Sequence, residues 1–444
     1  MKTYTITHGF SLNTSGQASQ TLVEAPAPDT VALLPGWIPH VKPKLLVKEG
    51  DEVKLGTPIF EDKRNPFVVF PSPGGGKVVR ITLGHRRRVD EVVIALDEEE
   101  GCEAFASIDS DAIADTDSDT LRHLLTKGGA WPLIRSLPFR DYPGVEEKPA
   151  HIIVTLGWAG GYQAKADIAL KGEDEAFADG LAILRRFCSQ VHVIAPEDTG
   201  DLSPAIASQI TARVKGGYPA GDPGHYLYKI RRIPEENRSW YIEAQDLVAL
   251  ARFVTSGCHH TRRVYAVGGN AASACQHVAS RLGAPVASLD GGSGHRRHIG
   301  GSPFAGGFLP STGFMNLFHK GLTLLPVGDE EDAFGFLRAG YARPSLSRTF
   351  LSVFNRNPLD LDCGMHGEER PCINCGRCTE VCPVGIFPQF TMKCMGAGEV
   401  EEALAHGLLD CIECGLCAYV CPSKIELLNL LQTAKAQYRK ERDG

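Results

Sequence analysis

Cys-Ile-Asn-Cys-Gly-Arg-Cys-Thr-Glu-Val-Cys-Pro at 372–383 returns as Cys-Ile-Glu-Cys-Gly-Leu-Cys-Ala-Tyr-Val-Cys-Pro at 411–422. The pattern is C-x2-C-x2-C-x3-C-P written twice, the spacing that holds a pair of [4Fe–4S] clusters. A cubane needs four inward thiolates. The tight loop supplies three, and where such motifs come in pairs the fourth crosses over from the other motif. The expected sets are Cys372, Cys375, Cys378 with Cys421, and Cys411, Cys414, Cys417 with Cys382. Pro383 and Pro422 would keep the chain from running back over the clusters. Gly376 and Gly415 sit where a side chain is expected to collide with the cubane.

Other uses of these cysteines fit less well. Fourteen cysteines in 444 residues is not the density of a disulfide scaffold, and the start MKTYTITHGFSLNTSG has no signal-peptide core. Structural zinc does not use the x3-C-P arm. Six cysteines remain, all expected to be unpaired thiols in a reducing cytoplasm: Cys102, Cys188, Cys258, Cys275, Cys363 and Cys394. Cys188 and Cys275 fall in helical patterns and read as small core hydrophobes. Cys363 and Cys394 flank the first motif, where no ligand is missing. Cys258-His259-His260 resembles half a metal site, but adjacent residues rarely share one ion.

The rest of the chain reads as a multidomain α/β and α+β protein. Apolar (43%) and charged (22%) fractions are ordinary for a soluble protein, and no run of 18 apolar residues could span a membrane. A net charge of −7 gives no reason to expect nucleic acid as a partner. Residues 1–103 form the first expected unit. Short strands broken at Glu49-Gly50-Asp51, Leu55-Gly56 and Pro73-Gly74-Gly75-Gly76 suggest a barrel-sandwich hybrid of biotinyl/lipoyl type. Lys63 is its only candidate carrier, and Asn65-Pro66 beside it argues against a lipoylation hairpin, so the module is read as having no carrier lysine. PGGGKVV leads into a strand, not the helix a phosphate loop requires.

From 104 to 255, predicted helices 118–128, 174–188 and 202–214 alternate with strands 150–157 and 190–196, implying a Rossmann-like α/β layer. LGWAGGY (156–162) follows a strand but lacks the G-x-G-x-x-G pattern. Residues 256–345 predict a strand at 260–269, a helix at 271–282 and glycine-rich turns at 298–313, a β-grasp-like, SLBB-type unit. The stretch 329–339 should then lead into 346–444, a helical ferredoxin-like 2[4Fe–4S] domain. Helices are expected near 399–408 and over 425–442, the last with an early leucine stripe and a cationic end.

Several stretches carry a resemblance: HGFSL (8–12), 45–79 with its Phe60-Glu61-Asp62-Lys63 run, HRRRVDEVVI (85–94), WPLIRSLPFRDYP (131–143), YPAGDPGHY (218–226) and 246–269. With them the chain resembles the NqrA family, a component of the Na+-translocating NADH:quinone reductases, related to the RnfC component of the Rnf ferredoxin:NAD+ reductases. The resemblance implies a peripheral protein on the cytoplasmic face of the inner membrane, docked to the other subunits of an ion-pumping complex. A quinone site enters through the resemblance alone. Familiar NqrA members have degenerate C-terminal cysteines, whereas both motifs here are intact, as in RnfC. TLGWAGGYQAK (155–165) lacks the Gly-Phe-Pro of loops that hold flavin and NADH, which counts against FMN and NADH in this chain. Three functions follow in order: an electron-relay subunit of an Nqr-type complex, an Rnf-type or flavin-linked reductase, and a docking scaffold with structural clusters.

Overall fold

The computed structural model describes residues 1–10, 13–160, 162–292, 294–328, 337, 339–344 and 350–443. The barrel-sandwich comprises two facing antiparallel sheets. One orders Thr30–Leu33, Val89–Leu96, Gly76–Leu83 and Glu52–Val53; the other Pro43–Leu45, Pro58–Asp62 and Asn65–Pro71. Period-two alternation turns Val31, Leu33, Phe60, Val68, Phe70, Val78, Val92 and Ile94 inward, all essentially buried. Phe60 and Phe70 stack at 4.5 Å between neighbouring strands of the three-stranded sheet. Burying each ring contributes roughly 2–3 kcal/mol.

Asp62 and Asn65 pair around the two-residue turn Lys63-Arg64, so Lys63 does sit at a hairpin tip. Pro66 is tolerated because its strand pairs on one side only. The hairpin is tied down through buried Asp62, which accepts hydrogen bonds from the Tyr142 hydroxyl (2.6 Å) and the Arg64 guanidinium.

The second sheet orders Lys2–Thr5, Ala212–Lys215, Val191–Pro196, Ile152–Thr155, Trp240–Glu243 and Arg135–Ser136. All pairs are parallel except the last. Ile152–Thr155 is buried throughout, as a strand covered on both faces must be. Helices Asp174–Phe187 and Ala244–Ser256 pack together over one face, where Leu247 closes on Gly180. Residues 202–214 are not one helix: Pro204–Ser208 is a single turn, and Ala212–Lys215 is claimed by the sheet.

The third sheet orders Gly307–Leu309, Arg296–Gly300, Gly321–Pro326, Arg262–Gly268, Gln276–Arg281 and Leu22–Glu24. The predicted helix 271–282 is therefore wrong. Its apolar residues instead alternate across a ladder in which Tyr265 faces Val278 and Val264 faces Ala279. Buried His277 fixes that strand with both ring nitrogens, toward the Ser19 carbonyl and the Lys165 N–H. Strands Lys2–Thr5 and Leu22–Glu24 join the second and third sheets, so the opening residues of the 1–103 unit bind its neighbours together.

The bridge from 329 to 339 lies largely outside the described residues. The cysteine-rich end contains helices Pro388–Ala397, Val400–Ala405 and Leu427–Asp443, with one-turn helices Arg377–Glu380 and Leu416–Tyr419 inside the two motifs. Cys102 and Cys258 are not free thiols: they form a disulfide, Cα atoms 6.5 Å apart. His259 beside it donates its Nε2–H to the Gly128 carbonyl (2.7 Å) and stacks on Phe253, a packed core histidine. Cys188 caps a helix end and Cys275 precedes a strand, each part-buried.

Candidate metal centre

The sequence repeat is also a backbone repeat. Asn374 and Glu413 both take left-handed φ (56° and 57°), followed two residues later by Gly376 and Gly415 (77° and 79°). Three residues after each fourth cysteine, Gly385 and Lys424 do the same (66° and 57°). The two glycines are thus required by positive φ at the start of each one-turn helix. At Gly376 a Cβ would meet no protein atom within 4 Å, so the protein itself makes no steric demand there. At Gly415 a Cβ would run into the Phe304 carbonyl, so there the body of the protein makes the second demand.

Each half surrounds a hollow. Cys372, Cys375, Cys378 and Cys421 line one of about 370 Å³, with Ile373, Met392, Ile425 and Leu427 among its other walls. Cys382, Cys411, Cys414 and Cys417 line the other, about 340 Å³, walled by Val384, Ile386, Ile412, Leu416 and Leu431. The crossing follows from one helical turn. Cys378 and Cys382 lie four residues apart, as do Cys417 and Cys421, and each pair serves one hollow with its first thiol and the other with its last. All eight are free thiols. Among the described residues no three acidic, histidine or cysteine groups converge as a single ion would need. Four thiols around an otherwise apolar hollow suit a multi-iron cluster and fit a [4Fe–4S] group.

The two hollows meet different surroundings. Around the second, the body reaches in with charged and hydroxyl donors. Arg140, 7% exposed, donates to the Ile412 carbonyl (2.8 Å) and pairs with Asp222 (2.7 Å). The Tyr218 hydroxyl donates to the Cys414 carbonyl (2.9 Å). Lys435, 2% exposed, donates to the carbonyls of Pro138 (2.6 Å) and Cys411 (3.1 Å) and pairs with Glu413. Arg231 holds Asp410 just before the motif at 2.6 Å. Burial pushes the Cys411 thiol up to about 11 and raises Cys414 and Cys417 well above the ordinary thiol range. Bound iron reverses this, because a metal takes the thiolate outright. Burial would also raise Glu413, but Lys435 and Arg140 outweigh it and hold that carboxyl low.

The first hollow has a lighter cover. Gln389 accepts from the Cys378 thiol (3.0 Å) and the Thr379 hydroxyl (2.9 Å). Ser423 binds the Pro371 carbonyl, tying the end of the second motif to the start of the first. Cys375 is exposed, and Ile373 is 67% exposed.

Sequence reasoning does not single out Arg140, Asp222, Tyr218 or Lys435. Three of them lie in the stretches 131–143 and 218–226 that carry the family resemblance, and that is the one signal that could have found them. In the other glycine loop, Gly157 packs under Gly221, and the Thr155 hydroxyl donates to the Gly221 carbonyl (2.8 Å). Trp158 lies 5.8 Å from the Arg140 guanidinium, so this loop also supports the second hollow.

Three family models match: the NqrA N-terminal barrel-sandwich hybrid domain over 4–97, the NqrA second alpha/beta domain over 116–259, and a 4Fe-4S dicluster domain over 371–425. The NqrA component of the Na(+)-translocating NADH-quinone reductase of Tolumonas auensis is 30% identical over 413 residues, 91% of this chain and 92% of that one. The protein of the same name from Klebsiella pneumoniae is 32% identical over 412 residues, with the same coverage. A solved NAD+-reducing [NiFe]-hydrogenase in its H2-reduced state aligns at 13% identity over 73% of this chain and 64% of that one. Its TM-score of 0.36 is below what indicates a shared fold.

Proposed function

The chain belongs to the NqrA family of the Na+-translocating NADH-quinone reductases, and from that premise we propose that it relays electrons within such a complex through two [4Fe–4S] clusters. The first would be held by Cys372, Cys375, Cys378 and Cys421, the second by Cys411, Cys414, Cys417 and Cys382. The observation that carries this reading is that each set of four thiols lines its own hollow. When bound, the clusters supply one-electron carriers whose potentials depend on burial and on hydrogen bonds near sulfur. The chain's own part is to exclude water with Leu416, Leu427 and Leu431, and to fix the ligand loops through Arg140, Tyr218 and Lys435. These residues pre-position the second set of cysteines before iron arrives.

NADH would react on another subunit. No helix among the described residues is long and apolar enough to cross a membrane. The chain would then sit peripherally on the cytoplasmic face, held by the membrane subunits. We read the parallel sheet as Rossmann-like and the third sheet as β-grasp-like, of SLBB type. For a quinone, named by the relatives, the candidate place is the narrow, largely apolar cleft between the barrel-sandwich and its neighbours, lined by Leu33, Phe70, Leu133, His260 and Arg263. Arg263 Nη1 is buried there without a hydrogen-bond partner among the described residues, available to a carbonyl oxygen.

The intact twin motifs also favour a second reading, an RnfC-type protein that handles NAD(H) and flavin itself. Anaerobic purification with iron, sulfide and flavin assays separates the two. The relay reading expects about eight irons per chain, two reducible signals in electron paramagnetic resonance, no FMN and no bleaching by NADH. Iron below half that amount would sink it, FMN with NADH bleaching would favour the second reading, and clusters that cannot be reduced reversibly would leave a docking scaffold.

A further inference from the structure

The internal repeat allows one half of the cysteine module to be compared with the other, position by position. Cys372, Ile373, Asn374, Cys375 and Gly376 correspond to Cys411, Ile412, Glu413, Cys414 and Gly415. In the second half the outer face of this loop is an interface. Ile412 is 6% exposed, and the carbonyls of Cys411, Ile412 and Cys414 accept from Lys435, Arg140 and Tyr218. Gly415 lies against the Phe304 backbone.

In the first half the same face is open apart from Lys393, which donates to Asn374 Oδ1 (3.4 Å). Ile373 is 67% exposed, Cys375 is the one exposed thiol of the eight, and the space beside Gly376 is open. Among the described residues no donor reaches the carbonyls of Cys372, Ile373 or Cys375.

We propose that residues 372–376 are the docking surface for a redox partner protein within the complex. That partner would present an apolar face carrying arginine, lysine or hydroxyl donors, as the body does to 411–415. Two features select this chemistry. The carbonyls of Cys372, Ile373 and Cys375 are open to donors, and a four-thiolate iron–sulfur site would carry net negative charge that a cationic face complements. Position selects the redox role, because Cys375 is where the pair of hollows comes closest to solvent. A partner covering Ile373 also removes a large exposed apolar side chain from water.

The proposal rests on the cluster reading, and its test separates the two. Hydrogen–deuterium exchange is measured on the isolated full chain and on the complex purified through a tag on this chain. Amides of 372–376 should slow at least tenfold on assembly, while those of 411–415 should be equally protected in both samples. Unchanged exchange at 372–376 would overturn the proposal, as would protection that grows with concentration in the isolated chain, which would assign the face to a second copy. In parallel, Ile373→Arg and Ile373→Glu are built into the complex, with iron content and dithionite-reduced signals confirming that both clusters remain. Ile373→Arg should loosen retention of the chain in salt washes and slow electron transfer about tenfold, with a smaller effect for Ile373→Glu. Wild-type retention and transfer in both would also overturn it. Missing iron in the unmodified protein would defeat the cluster reading alone, since exchange protection still reports docking.

Discussion

The second cysteine hollow is built into the molecule, and the first is hung on its edge, although the same twelve-residue motif makes both. Around 411–417 the body supplies Arg140, Tyr218, Lys435 and a close backbone contact at Gly415. Around 372–378 the contacts come from the module itself: Gln389 at Cys378, Lys393 at Asn374, and Ser423 at Pro371 just before the loop. Identical ligand spacing thus fixes what is bound and leaves open what the site faces. The difference lies in residues far away in sequence, and it separates an inner station from an outer one.

The strongest challenge to this contrast is to remove one thiol from each side. Cys414→Ser should abolish the second cluster's signal and also loosen the module from the body, seen as rapid proteolysis near 405–425. Cys375→Ser should abolish only the first signal, leave the other partly intact, and spare the docking; equal proteolysis of both variants would erase the distinction. Next in size is Lys435→Met, which leaves Glu413 without its buried partner. It should cost about 3 kcal/mol in chemical denaturation and lower the second signal in preference to the first.

A pH-dependent effect should follow at the same interface. Burial pushes the Asp141 carboxyl up to about 6 although Arg439 of the C-terminal helix faces it. The folded state therefore keeps this proton longer than the unfolded chain does. Stability from this group is full below about pH 4 and falls as pH rises to about 6, by roughly 3 kcal/mol in all. Asp141→Asn should flatten that slope in urea midpoints measured across the range. Smallest is Tyr218→Phe, which removes one hydrogen bond to Cys414 and should cost about 1 kcal/mol. A similar loss from Gln389→Met, at the outer hollow, would show that the two sites are held alike.

The grouping of the eight thiols around two hollows is legible because three of each four lie in one short loop, and the crossing needs only one helical turn. The barrel-sandwich is legible through its alternation and its turns at Gly50 and Gly56, both with positive φ. The strand Gln276–Arg281 is not, because a short run with His277, Val278 and Ala279 reads equally as helix until Tyr265 and Val264 are placed beside it. The tie of the Lys63-Arg64 hairpin through Asp62 to Tyr142 is not legible, because that contact is tertiary. The Cys102–Cys258 bridge spans 156 residues and has no local signature. The same holds for Arg140 and Lys435, whose roles exist only once the C-terminal helix returns to the body.

The crossing of Cys382 and Cys421 also has a consequence for biogenesis. During synthesis the first motif emerges alone and offers a pocket with three walls, its fourth ligand not yet made. On the proposed ligation, the second motif would complete the second set at Cys417 and the first at Cys421. A ribosome-bound chain therefore has no finished receptacle for metal at any earlier stage. On the proposed ligation, a chain truncated between Cys417 and Cys421 would keep all four ligands of the second site and lack one ligand of the first.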